Sequence, residues 1–71
     1  MAGKIRASMT GTVWKICVKA GDAISSGDTV AILESMKMEI PIEAEESGTV
    51  ETILVNEGDV IEEDGVILTF K

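Results

Sequence analysis

The feature that most constrains the fold is an internal repeat. Residues 5–24 come back at 42–61, an offset of 37 held over 20 positions. Ile5 matches Ile42, Ala7 matches Ala44, and Gly11-Thr12-Val13 matches Gly48-Thr49-Val50. Ile16 and Val18 match Ile53 and Val55, Gly21-Asp22 matches Gly58-Asp59, and Ile24 matches Ile61. Dropping one residue from the second copy then aligns Val30 with Val66. Such self-similarity signals one supersecondary unit used twice, and 71 residues leave room for a single domain, 1–71. If a pseudo-two-fold axis relates the copies, the central hairpin has a counterpart where residues near 70 meet residues near 5. The chain ends then lie side by side, at the pole opposite the centre of the chain.

Within each copy, short apolar runs alternate with glycine turns. The runs are 4–7, 11–18 and 29–33, then 38–44, 48–55 and 66–70. The turns are Ala20-Gly21-Asp22 and Ser25-Ser26-Gly27-Asp28, then Glu57-Gly58-Asp59 and Glu62-Glu63-Asp64-Gly65. This spacing predicts an all-β barrel or sandwich, and no stretch carries the period of an amphipathic helix. Trp14 and Phe70 are the only aromatic residues, so the core must be aliphatic and largely β-branched, as a pleated surface favours. Pro41 lacks an N–H and predicts an edge strand. Val13 and Ile16, like Val50 and Ile53, have opposite parity, which predicts a matched β-bulge in each long strand. Cys17 pairs with Leu54 in the repeat and is expected to be a small buried residue. Trp14 pairs with Glu51 and is expected on an exposed face.

Several functions are excluded on composition. One cysteine and no histidine make neither a disulfide framework nor a zinc site. Thirteen acidic against six basic residues disfavour nucleic acid, which needs a basic stripe. No apolar run nears the ~20 residues of a membrane span, and the start of the chain lacks a signal-peptide core. A soluble cytoplasmic protein is expected, and the initial Met1 favours a stand-alone chain over an excised domain. No acid–base pair, nucleophile–base pair or phosphate loop is visible, so no catalytic residue is expected.

The chemistry concentrates at Glu34-Ser35-Met36-Lys37-Met38, between two strand-like runs. Turn tips ordinarily carry Gly, Asn, Asp or Ser; this one presents an amine between two flexible thioethers. A solvated turn lysine is the bland reading. The central position and the doubled frame favour a covalent attachment point at Lys37. Of Met36 and Met38, at most one is expected to point inward.

These residues resemble the biotinyl/lipoyl attachment domains. Glu34-Ser35-Met36-Lys37-Met38 is similar to the biotin-acceptor motif Glu-Ala-Met-Lys-Met, with Ser35 in place of alanine. Gly11-Thr12-Val13, Gly21-Asp22 and Gly48-Thr49-Val50 stand where that family has turn glycines and following strands, so the resemblance covers nearly the whole chain. It implies a flattened antiparallel β-barrel/sandwich of two four-stranded sheets, a barrel-sandwich hybrid. It implies biotin joined to Lys37 by a biotin protein ligase, which activates biotin as an adenylate and supplies the base, an alkyl amine being protonated below a pKa of about 10.4. Glu34, Ser35, Met36 and Met38 would be read by that ligase. The biotin arm would then shuttle a carboxyl group between a biotin carboxylase and a carboxyltransferase, the barrel itself catalysing nothing. The family often has Ala-Pro-Met-Pro-Gly where this chain has Ala7-Ser8-Met9-Thr10-Gly11, and Ala-Pro where it has Ala44-Glu45, which implies slightly looser turns. Nearly equal halves leave no room for the inserted loop of some biotin carriers. Two alternatives stay open: a lipoate carrier loaded by a lipoyl ligase, alone or in addition to biotin, and an unmodified structural barrel. Lipoyl domains typically have an acidic residue before the lysine, so the flanking methionines favour biotin.

Overall fold

Alternating aliphatic residues give each half of the chain one inward row, and the two halves close those rows against each other. The computed structural model describes residues 3–71. Its strands are β1 (Gly3–Arg6), β2 (Gly11–Ile16), β3 (Ala23–Ile24), β4 (Thr29–Ser35), β5 (Met38–Glu43), β6 (Gly48–Ile53), β7 (Val60–Ile61) and β8 (Val66–Phe70). They form two four-stranded sheets, in the orders β1-β8-β6-β3 and β5-β4-β2-β7, with every pairing antiparallel. Val30, Ala31, Leu33, Ile67 and Leu68 are fully buried at the centre, with Ile5, Val13, Ile42 and Val50 around them. Among the described residues no helix is long and apolar enough to cross a membrane.

The pseudo-two-fold is closer than the sequence suggests. The pairs Val13↔Leu33, Lys15↔Ile32 and Ile16↔Ala31 return as Val50↔Phe70, Thr52↔Thr69 and Ile53↔Leu68. Thr29↔Glu43 returns as Val66↔Arg6. The offset of 37 is thus unbroken, and the one-residue gap placed before Val66 is incorrect. The mate of Val30 is Ile67: the N–H of Cys17 donates to Val30 O as that of Leu54 donates to Ile67 O, each at 2.9 Å.

The bulges expected in the long strands are present: Trp14 and Lys15 together oppose Ile32, and Glu51 and Thr52 together oppose Thr69. The bulge also corrects the expectation for Cys17, which is exposed. Beyond it, Ile16 and Val18 turn inward to pack on the core, as do Ile53 and Val55. The residues between them, Cys17 and Leu54, must therefore face out. Pro41 lies on β5, an edge strand as expected. The long strands stop at Ile16 and Ile53, short of 18 and 55, and the incoming strand continues past 33 to Ser35.

Carboxylate-closed turns repeat as well. Asp22 Oδ2 accepts from the Lys19 N–H at 3.0 Å, and Asp59 Oδ2 accepts from the Asn56 N–H at 2.8 Å. Each bond is worth about 1 kcal/mol net. Asp22→Ala and Asp59→Ala are each expected to lower stability by that amount, equally within ~0.5 kcal/mol, as urea denaturation midpoints would report. A marked inequality would mean that the halves are energetically distinct despite their geometry.

The same registers set the poles. β2 starts beside the central hairpin, with Thr12 opposite Glu34. β6, its mate, starts beside the C-terminal residue: Thr49 and Lys71 exchange backbone hydrogen bonds of 2.9 Å. β2 runs away from the hairpin into the Gly21 turn, whose N–H donates to Val50 O at 2.8 Å, near that C-terminal end. Gly3 pairs with Phe70. The hairpin tip and the paired ends of the described chain are therefore at opposite poles.

Candidate functional site

The hairpin of β4 and β5 pairs without interruption from Ala31↔Ile42 to Ser35↔Met38, leaving a two-residue tip, Met36-Lys37. Both tip residues have positive φ, 53° for Met36 and 64° for Lys37. That is the requirement of a type I′ turn, whose twist matches the flanking strands and which strongly prefers Asn-Gly. Side chains with a Cβ in that region cost roughly 1–2 kcal/mol per residue. The frame on either side over-determines the turn, and the tip keeps the amine in spite of the strain.

Each residue singled out from the sequence can now be placed. Lys37 is exposed at the tip, and among the described residues it joins no ion pair. Met36 is 90% exposed and Met38 63%, so neither points inward. Glu34 is exposed on the outer face opposite Glu39, and Ser35 is half-buried. The structure brings Glu34, Ser35, Met36, Lys37 and Met38 together on one pole. The residue underrated in the sequence is Gly11. A Cβ there would lie 2.9 Å from Glu34 O and 3.5 Å from Ser35 Cβ, so glycine lets β2 close against the hairpin base. The available signal is its repeat mate Gly48, equally intolerant of a Cβ beside Lys71 O at 2.6 Å.

Two grooves run along Arg6, Ser8, Glu43 and Glu45, away from the tip, while Met36, Lys37 and Met38 all stand exposed at it. The site therefore displays a group and does not enclose one. Chemically it is one free amine on a short rigid mast, with two adaptable apolar side chains beside it and two carboxylates, Glu34 and Glu39, at its base. Such an arrangement suits covalent attachment of a group that other proteins must reach.

Fold and site together define a lysine-presenting barrel-sandwich hybrid. Residues 1–70 match the biotin/lipoyl family, described as "Biotin-requiring enzyme". The chain is 57% identical over 60 residues to the Biotin/lipoyl attachment protein of Bacillus subtilis (strain 168), covering 84% of this chain and 82% of that one. It is 43% identical over 67 residues to the Biotinylated protein TB7.3 homolog of Mycobacterium leprae (strain TN), covering 94% of each. Its fold is similar to a part of the Kluyveromyces lactis urea carboxylase crystal structure, with a TM-score of 0.92 and 34% identity, covering 100% of this chain and 6% of that one. The chain belongs to the biotin/lipoyl attachment family.

Proposed function

We propose that Lys37 Nζ is the attachment point for biotin and that residues 1–71 act as a biotin carrier domain in a biotin-dependent carboxylase system. The observation that carries this reading is the tip itself: an exposed lysine between exposed methionines, held at positive φ where glycine would be easier. Names of the related proteins support it, since they include a biotin/lipoyl attachment protein, a biotinylated protein and a carboxylase. Bound there, biotin would supply a ring nitrogen able to accept and release a carboxyl group.

The protein's own residues do three things in this scheme. Lys37 provides the amide nitrogen and a flexible alkyl stem. Met36 and Met38, with Glu34 and Ser35, form the surface that a biotin protein ligase reads. The two-fold frame holds the tip away from the chain ends, so that a tethered group visits a biotin carboxylase and a carboxyltransferase at raised effective concentration. The frame contributes no catalytic group. Cys17 is a free thiol, which suits the reducing cytoplasm. The flanking methionines favour biotin over lipoate.

Intact mass spectrometry tests the reading directly. Incubation with biotin protein ligase, ATP and biotin is expected to add one biotinyl group to the wild type and none to Lys37→Arg. A parallel incubation with lipoyl ligase and lipoate is expected to leave the wild type unchanged. An unmodified wild type after ligase treatment, or an adduct that survives Lys37→Arg, would overturn the assignment.

A further inference from the structure

The two-fold places one close backbone approach at each pole. With the offset of 37, Gly11 and Glu34 correspond to Gly48 and Lys71. A Cβ on Gly11 would stand 2.9 Å from Glu34 O, and one on Gly48 would stand 2.6 Å from Lys71 O. In both cases the obstacle is a backbone carbonyl, which cannot swing aside as the end of a long side chain can. The strand that carries it has to move. The contact itself therefore belongs to the fold. Its surroundings differ: Gly48 serves the pole where the ends of the described chain pair, and Gly11 serves the pole that presents Lys37.

The hairpin is supported unevenly along its length. Leu33 is fully buried and has register partners on both sides, Val13 and Ile40. The pairing of β4 with β2 runs out to Thr12↔Glu34, whereas its pairing with β5, an edge strand, runs on to Ser35↔Met38. The outer hairpin is thus a lever rooted at Leu33, and Gly11 lies where β2 last bears on it. Restoring an ordinary contact distance around a Cβ on Gly11 requires Glu34 O to give by roughly half an ångström. Glu34 is one residue from the root and Met36 is three, so with an even rise per residue the shift grows about threefold, to on the order of 1.5 Å at the tip. A misplacement of about 1 Å can slow a reaction ~100-fold. The flexible stem of Lys37 recovers part of that loss.

We infer that Gly11 is a positioning residue for the modification of Lys37: its missing Cβ sets the angle at which the hairpin tip meets the biotin protein ligase. The inference rests on the carrier reading above. Gly11 acts through Glu34 O, at the base of the hairpin, and supplies no group to the reaction. Its effect is on alignment of the amine and leaves the side chains of Glu34, Ser35, Met36 and Met38 in place for recognition.

The test sets Gly11→Ala against Gly48→Ala, its counterpart at the other pole. A Cβ on Gly48 would also come within 2.8 Å of the buried Phe70 ring, which makes Gly48→Ala the stricter control for lost stability. Each chain, at a series of concentrations, is incubated with biotin protein ligase, ATP and biotin. The adduct is followed by intact mass, and urea midpoints are measured alongside. Both variants are expected to show lowered midpoints. Only Gly11→Ala is expected to be modified more slowly, with kcat down about tenfold and KM within about twofold of the wild type. Gly48→Ala is expected to match the wild type in both constants. The assays are repeated in sucrose, which favours the folded state. Slowing caused by partial unfolding is recovered there, and slowing caused by misalignment is not. Wild-type kinetics for Gly11→Ala overturn the proposal, as do equal slowing of the two variants, a loss confined to KM, or recovery in sucrose. A Gly11→Ala chain that stays unfolded in sucrose overturns it too, the close approach then being a requirement of folding alone. Absence of any adduct on the wild type removes the carrier reading instead, and is told apart before the variants are compared.

Discussion

Met36→Asn combined with Lys37→Gly is expected to yield a protein that melts higher and accepts no biotin. Both positions sit at positive φ, 53° and 64°, where asparagine and glycine are at ease and methionine and lysine are not. Relief of that strain is worth roughly 1–2 kcal/mol per residue, offset by the 0.5–1 kcal/mol or so that glycine costs through its unfolded-state freedom. A net gain of about 1–3 kcal/mol should raise the melting temperature by ~4–8 °C per kcal/mol in a chain of this size. Calorimetry checks the first half of the expectation and intact mass after ligase treatment the second. A fall in melting temperature would show that the tip is not strained, and the physical case for a retained functional lysine would weaken.

Leu33→Ala has the largest expected effect on stability. Leu33 is 0% exposed, lies on β4 between Val13 of β2 and Ile40 of β5 in register, and belongs to the buried core. Truncating a buried leucine costs about 3–5 kcal/mol when the site cannot collapse. Neighbours held in sheet registers on both sides leave little room to collapse. Since ~0.05–0.15 kcal/mol per residue is the usual margin, a loss of this size removes a third or more of the total. The urea midpoint should fall sharply with the slope unchanged. A loss below ~1 kcal/mol would mean that the two inner faces are not tightly packed there.

Much of this molecule is legible in its sequence because the repeat does the work of a second copy for comparison. Paired glycines mark the same turns twice, a shared parity break marks the same bulge twice, and Pro41 marks an edge. The departures share a cause. Val30 and Val66 align because they are identical, yet inward direction, not identity, decides the mate; Ile67 occupies the equivalent buried place. Cys17 reads as buried because its repeat mate is the apolar Leu54, but one extra residue at Trp14-Lys15, matched in the second copy, turns both Cys17 and Leu54 outward. β3 and β7 escape delimitation because two residues carry no period; their pairing with β6 and β2 defines them. At the site, the lysine and its neighbours stand out by type and place. The backbone strain beneath them does not, since φ is set by the length of the hairpin and not by Met36 or Lys37 themselves.

The margins of the two sheets have a consequence for how another protein can meet this one. β3 and β7 are two residues long, β5 carries Pro41 and β1 carries Lys4 and Arg6. Short, proline-bearing and charged borders are the means by which β proteins avoid zipping onto foreign strands. A contact at these borders would then engage side chains and not a ladder of backbone bonds. The domain is built to be touched often and kept by nothing.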